Sequence, residues 1–591
     1  MNLFVIGWSS RRAPDPRRAE AAVRDLTGAL PFLDAAEVGT WHAPSGAATA
    51  AWASDPGEPA SPFGYAGVES ERLVLWAGRP MRWESGGGAD GRTPLDPGFY
   101  LPPAHHWAEA LDGRFTAIRY DDADRSVAAL ADAMGAYPLY RTDVDGVTWI
   151  ANRAEPLRAL AGSRVVDLDS LAGLLGGGWP LGGRPVWAAV RRVAPGLLSL
   201  HPEAGEGHRD LLLASDVARM CGAGFDSLTA ARTLVDSVRA LADWPGRPSV
   251  VPVTGGRDSR LVLAGALRAG IPFDAVTGGA PASPDVITAR AVCDAAGIGH
   301  ELLPADPHGD PWSTPIEAAR VLGLTTSGTA SLGDAAGFPL GPGKGPRALW
   351  HSGQGGEIAR GYYRAAAGRD RHEVVTGLKR LFCGRRPGRS EPLSEKGRER
   401  VRAGIAEWVE GRLAAGAALE DLPDLFYVDE RMGSWAGPTH GAVEWVRDTT
   451  SPLWGARMLP HLLGPSVAER EAEAFHAAVL RELAPELLDV PYAGGSKGGL
   501  RHKARRAVEE ARRRVAPVSG EPDSDPFDGV LGAVREAVAA QPDHVAWQVL
   551  ERERVDGLLA HDAAGLDEMS RAYVWRIATV FLDPALGEGY A

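Results

Sequence analysis

Cysteine is scarce. Only Cys221, Cys293 and Cys383 occur in 591 residues. They lie too far apart for a disulfide framework or for metal-ligand spacing, which excludes a stapled mini-domain and a zinc module. A reducing interior suits such thiols, and the expected location is cytoplasmic. Long apolar runs are also missing. No stretch approaches the roughly 18 residues of a membrane-spanning helix, so no membrane partner is expected. The opening Met1-Asn2-Leu3-Phe4-Val5-Ile6-Gly7-Trp8 is apolar too briefly, and lacks the basic region, for a signal peptide. Positive charge is in deficit. The formal net charge is −13, whereas binding nucleic acid needs a basic footprint, so no nucleic-acid partner is expected. A Gly-x-x-x-x-Gly-Lys phosphate loop is absent too.

The bulk of the chain is ordinary globular material, 45% hydrophobic and 24% charged, and enough of it for two or three domains. The most informative stretch runs from Ser249 to Leu261. The β-branched run Val250-Val251-Pro252-Val253 has the pattern of a buried parallel strand. It breaks at Gly255-Gly256, then Leu261, Val262, Leu263, Ala266 and Leu267 recur at helical spacing. Strand, glycine turn and helix make an anion-binding geometry, because the glycines admit a phosphate and the first-turn amides face it. Thr254 and Ser259 can add hydroxyl bonds, and Asp258 can hold magnesium. A plain structural turn is the alternative.

After the helix at 257–269, strands at 273–279 and 300–303 flank a helix at 285–296, a parallel doubly wound pattern. Ligands in such sheets lie at the carboxyl ends of the strands, which places Gly255, Asp258 and Gly278 around one pocket. A second apolar strand, Ala348-Leu349-Trp350-His351, runs into Ser352-Gly353-Gln354-Gly355-Gly356-Glu357 and a helix. Each of the two glycine turns thus carries one acidic residue, Asp258 in the first and Glu357 in the second. Residues 425–470 read as helical. A glycine-rich loop comes next at 487–497, then a basic run through Arg501, His502, Lys503, Arg505 and Arg506, which reads equally as a solvated helix face. Residues 516–527 are polar and rich in Pro and Gly, and 528–582 return to helical periodicity.

The first half differs. Residues 3–7, 73–78 and 111–121 read as strands, the second ending in a turn, with a turn at 121–124 and a return strand at 127–132. Short strands with little helix predict an antiparallel domain over 1–200, and an irregular linker is expected at 202–224. His105-His106 has no third ligand nearby and reads as a surface or turn pair.

The stretch Thr254-Gly255-Gly256-Arg257-Asp258-Ser259 resembles the Ser-Gly-Gly-x-Asp-Ser loop of the ATP-pyrophosphatase enzymes, with Thr for the first Ser. Ser352 to Tyr363 resembles a second motif of the class B asparagine synthetases, with Glu357 at the place of a metal-binding Asp and Gln354 replacing a Glu. Residues 112–121, 131–140 and 186–196 are similar to that family's glutaminase domain, an N-terminal-nucleophile sandwich. The departures carry information. The family's nucleophile is a cysteine exposed at the amino terminus, but position 2 is Asn2, and the glutamine-holding segment is Ala77-Gly78-Arg79. Val286 replaces a usual Glu, Trp454 a usual Asp, and the catalytic Tyr of β-lactam synthetases has no counterpart.

The resemblance implies a glutaminase-like sandwich over 1–205 without its nucleophile, a scaffold or else a peptide-binding module. It implies a doubly wound ATP-pyrophosphatase domain over 225–515 and a helical extension over 526–591. ATP and Mg2+ are the implied cofactors. Val253, Thr254, Gly255, Gly256, Asp258, Ser259, Thr277, Gly278, Ser352, Gly353 and Gly355 would line the nucleotide, and Asp258 and Glu357 would hold the metal. A late lysine, Lys497 or else Lys503, would stabilise the charged acyl transition state. The implied reaction adenylates a carboxylate and passes the acyl group to an amine without glutamine hydrolysis. Lasso-peptide cyclases and β-lactam synthetases share the silent first domain. A peptide macrolactam cyclase, with a leader-peptide-binding or protease partner, is the preferred expectation. Small-molecule amide synthesis, an ammonia-using synthetase and a non-catalytic scaffold are the alternatives; thiolation is disfavoured by the lack of paired cysteines.

Overall fold

The computed structural model describes residues 3–30, 37–54, 63–66, 71–84, 87–244, 248–303, 315–335, 348–384, 391–441, 448–493 and 526–587. The first two hundred residues build two antiparallel sheets. One contains β1 (Leu3–Trp8), β2 (Glu37–His42), β3 (Ala48–Ser54), β9 (Tyr140–Val144), β10 (Val147–Ala151) and β11 (Arg191–Arg192), in the order β11-β9-β10-β1-β3-β2. The other contains β4 (Phe63–Ala66), β5 (Arg72–Trp83), β6 (Ala89–Asp90), β7 (Leu111–Asp121), β8 (Ser126–Ala131), β12 (Gly196–His201) and β13 (Gly205–Arg209), in the order β13-β12-β8-β7-β5-β4, with β6 beside β5. Strand alternation explains the packing. In β1, Phe4 and Ile6 enter the core between the sheets with Leu75, Ile118 and Tyr120. Leu3 and Val5 enter a different core on the outer face.

Three expectations for this half need correction. The strand read as 73–78 does not turn at Gly78. It continues to Trp83, with Gly78 at φ +91° opposite Phe115, where a Cβ would strike the Arg114 carbonyl. The half also carries more helix than expected. Pro16–Gly28 is capped by Asp15 with Pro at its first turn, and buries Ala19, Ala22, Val23 and Leu26 at helical spacing. His105 and His106 lie on the short helix Ala104–Ala110, with ring centroids 4.1 Å apart. Finally, 202–224 is not irregular. β13 pairs with β12, and a helix spans Ala214–Met220.

The second half is organised on a five-stranded parallel sheet. Its strands are β14 (Ser249–Pro252), β15 (Phe273–Gly278), β16 (Glu301–Leu303), β17 (Leu349–His351) and β18 (Asp448–Thr450), in the order β16-β15-β14-β17-β18. Helices Ser227–Ala242, Asp258–Ala269 and Pro284–Ala296 accompany it. Gly265 lets the second of these approach Leu234 and Val238 of the first. β18 lies inside the stretch read as helical. Its residues Asp448-Thr449-Thr450 are polar, and pairing with β17 makes them a strand. The rest of that stretch includes a π-helix, Tyr427–Ala436. Helices Pro526–Ala540, Arg552–Leu559 and Glu568–Phe581 follow, and the short helix Pro584–Gly587 ends the described chain.

The apolar core is continuous across both halves. Leu3 of the sandwich, Val251 of the parallel sheet and Val574 of the last long helix belong to one cluster. Polar groups pin the same junction. The Asp112 carboxylate accepts from the amides of Ala456 (2.8 Å) and Arg457 (2.9 Å). Arg79 makes a buried ion pair with Asp448 of β18, its guanidinium 4.1 Å above the Trp244 ring. Among the described residues, no helix is long and apolar enough to cross a membrane.

Candidate functional site

β14 and β17 are neighbours in the sheet, so the turns that leave their carboxyl ends meet. The first turn is closed by its own hydroxyls. Thr254 Oγ1 and Ser259 Oγ lie 2.8 Å apart, and Ser259 Oγ accepts from the Thr254 amide at 3.2 Å. Thr254 Oγ1 accepts from the Gly256 amide at 3.1 Å. The Gly255 amide donates to Asp285 Oδ1 at 2.7 Å, so an anion approaching that amide meets a carboxylate first. Val253 extends the β14 pairing through its amide to the Val276 carbonyl, 2.8 Å. Thr277 is turned inward, donating to the Val253 carbonyl at 2.6 Å with His300 Nε2 at 2.7 Å. Gly278 ends β15 with open space around it.

The second turn holds Ser352 by its amide to the Thr450 carbonyl, 2.7 Å, and Ser352 Oγ accepts from the Gln354 amide at 3.1 Å. Beyond Gly355 the chain makes one 3-10 turn, Gly356–Arg360, rather than the helix read from the sequence. Gly355 at φ +100° and Gly361 at φ +57° bound it on both sides. Close approach demands the glycine at 353. A Cβ there would sit 2.6 Å from the Ser259 nitrogen and 2.7 Å from the Asp258 carbonyl carbon. The two turns are therefore in backbone contact.

At that contact lie Asp258 and Glu357. Asp258 Oδ1 is 2.7 Å from His476 Nε2, and Asp258 Oδ2 accepts from Arg360 Nη2 at 2.7 Å. The same nitrogen stands 3.9 Å from Glu357 Oε1. Glu357 Oε2 accepts from the Gly355 amide at 3.0 Å. Burial pushes the Asp258 carboxyl up, but the His476 hydrogen bond and the charges of His476, Arg360 and Arg257 outweigh it and hold the group below its usual range. Glu357 moves the other way, raised first by burial and then by the charge of Asp258.

Of the sequence-predicted residues, the structure gathers Thr254, Gly255, Gly256, Asp258, Ser259, Ser352, Gly353, Gly355 and Glu357 at this junction. Val253 and Thr277 lie just beneath it, committed to the sheet. Lys497 and Lys503 lie outside the described residues, as do 516–525. Ala493, four residues before Lys497, donates its amide to the Gly255 carbonyl at 3.1 Å.

Sequence reading passed over several participants. Arg257 pairs with Glu473, and both Arg257 and Arg260 stack on Tyr492 at 4.2 Å. Arg260 donates to the carbonyls of Leu487 (2.8 Å) and Val490 (2.6 Å), tying the segment before Ala493 to the first helix. Arg360 was visible inside the second motif, as a cation three residues after Glu357. His476 comes from the distant helix Ala474–Leu483 and had no sequence signal.

Two carboxylates are the right donors for magnesium, which takes one or two from protein and the rest from phosphates and water. Among the described residues, no group of three or more His, Cys, Asp and Glu side chains could hold a metal. The pair fits a metal carried by a phosphate ligand, not a protein-only cage. The cysteines offer no second chemistry. Burial raises their thiols, Cys293 to about 11 and Cys221 and Cys383 to about 12.

No protein-family model matches the chain, and no curated protein matches it. Among solved structures, the allosteric regulatory enzyme of purine biosynthesis is 11% identical, over 52% of this chain and 81% of its own, with a TM-score of 0.23. A glutamine phosphoribosylpyrophosphate amidotransferase from B. subtilis, complexed with ADP and GMP, is 10% identical, over 46% of this chain and 65% of its own, also with a TM-score of 0.23.

Proposed function

We propose that the chain is an ATP-dependent carbon–nitrogen ligase of the asparagine-synthetase type that has no glutaminase step. One observation carries the reading: adjacent parallel strands deliver two glycine turns into backbone contact, with Asp258 and Glu357 at the junction. In the proposed reaction a substrate carboxylate attacks the α-phosphorus of ATP and expels pyrophosphate. An amine then attacks the acyl-adenylate carbonyl and expels AMP. The amides that open helix 258–269 would face the leaving pyrophosphate, where negative charge develops, the Thr254, Gly255 and Gly256 amides being engaged by Ser259, Asp285 and Thr254 side chains. Asp258 and Glu357 would hold magnesium, which supplies charge neutralisation to that leaving group. Lys497, or else Lys503, would act on the acyl transition state.

The amine is proposed to come from the substrate. The residues of the first module, before Cys221, include no cysteine. Arg79, in the segment that resembles a glutamine-holding one, is committed to Asp448. These facts support a first module that packs rather than reacts. The preferred substrate is a peptide whose amine and side-chain carboxylate become a macrolactam, made in the cytoplasm.

The test is ATP consumption, with AMP and pyrophosphate resolved from ADP and phosphate. It is run with ammonia, with glutamine and with a precursor peptide encoded nearby. AMP formed only with the peptide, with loss of one water from its mass, is the expected result. AMP with small acids and amines moves the assignment to small-molecule amide synthesis. No AMP under any condition refutes the ligase.

A further inference from the structure

Asp258 and Glu357 are two carboxylates at a site with little water. Their side chains are 13% and 22% exposed. Like charges at such a junction repel unless a cation stands between them. The cation that lies near both carboxylates is Arg360. Its Nη2 donates to Asp258 at 2.7 Å and lies 3.9 Å from Glu357, on a 3-10 turn that also contains Glu357. The other Asp258 oxygen is occupied by His476, whose side chain is 1% exposed. The carboxylate most suited to a metal is thus engaged on both oxygens by groups of the chain itself.

We propose that Arg360 is a resident counter-ion that holds Asp258 and Glu357 together before nucleotide arrives, and that a divalent cation displaces it only when it arrives with a triphosphate. This rests on the reading of Asp258 and Glu357 as a metal-binding pair. The physical reason is charge balance. A metal ion entering alone must expel the guanidinium and leave it beside a double positive charge in a poorly hydrated site. A metal–triphosphate complex carries net negative charge, so the released guanidinium gains an anionic partner. Metal and nucleotide affinities are then coupled, and by linkage the coupling is reciprocal. Two side-chain carboxylates do not complete a metal's coordination, and phosphate oxygens supply what is missing.

The experiment is manganese binding, read as free Mn2+ by electron paramagnetic resonance, with and without a non-hydrolysable ATP analogue, the metal held by protein being what is lost beyond the loss that the analogue causes alone. It uses the full chain and involves no turnover. The wild-type protein binds Mn2+ weakly alone and at least tenfold more tightly with the analogue. Arg360→Met binds Mn2+ alone about tenfold more tightly than wild type, and the analogue adds less. If Arg360→Met does not fold, Arg360→Lys decides. Its shorter ammonium keeps the charge but loses the planar reach, and Mn2+ alone binds severalfold more tightly. Unchanged Mn2+ affinity in the folded variant overturns the role of Arg360. Glu357→Gln weakens Mn2+ in both states. Absence of Mn2+ binding in every protein, with analogue present, overturns the metal-binding pair itself, and the inference with it.

Discussion

Replacing Arg79 with methionine tests the join between the antiparallel module and the parallel sheet. Arg79 and Asp448 have side chains only 3% and 4% exposed. Removing the guanidinium from a buried pair costs about 3–5 kcal/mol, because the remaining carboxylate stays in a medium that solvates it poorly. That is roughly a hundredfold to several thousandfold in an opening equilibrium. The loss of the contact with Trp244 adds to it in the same direction. Asp448 stands on β18, whose Thr450 carbonyl holds the Ser352 amide of the second turn. The expected result is a lower guanidinium-chloride midpoint by far-ultraviolet circular dichroism, together with reduced ATP turnover. Arg79→Met/Asp448→Leu should recover most of the stability, since it leaves no lone charge. A single-variant loss below about 1 kcal/mol, the range of exposed pairs, would refute the reasoning. So would a double variant as unstable as the sum of the two singles.

Asp258→Ala should abolish ATP turnover and leave the circular dichroism spectrum unchanged; retained turnover would show that the first turn has been misread. Glu357→Gln should raise the magnesium concentration needed for half-maximal turnover, and identical titrations would remove Glu357 from the site. Gly353→Ala should cost more than tenfold in turnover, because the methyl group drives the second turn off the Ser259 nitrogen; near wild-type turnover would mean that the turns need not touch. Burial raises the Glu430 carboxyl to about 7. The folded state then keeps a proton that the unfolded state releases, so this group's stabilisation is full below about pH 4.5 and is lost as pH rises towards 7. Glu430→Gln, which can still accept from the Gly182 amide, should flatten the stability profile between pH 5 and 7; an unchanged slope would exclude Glu430 as its source.

The form of the first turn was legible because its determinants are local: a β-branched run, two glycines and the start of an amphipathic helix follow one another directly along the chain. The sandwich strands at 111–121 and 126–131 were legible for the same reason. Elsewhere the determinants are not local. Gly78 looks like a stop, yet its positive φ lets β5 continue and deliver Arg79 to the junction. Asp448-Thr449-Thr450 has no strand character of its own and takes it from β17. The 3-10 turn after Gly355 replaced a helix because left-handed glycines stand at both ends. His476 reaches Asp258 across 218 residues, a distance that no periodicity encodes.

The single apolar cluster that joins Leu3, Val251 and Val574 bears on how such a chain can be divided. A cut near residue 210 would leave each fragment with a raw hydrophobic face where the other had been, so the fragments should be recovered together or not at all. Recombination that exchanged one half would have to supply a matching face on the other, which makes the whole chain, rather than either half, the unit that selection can move.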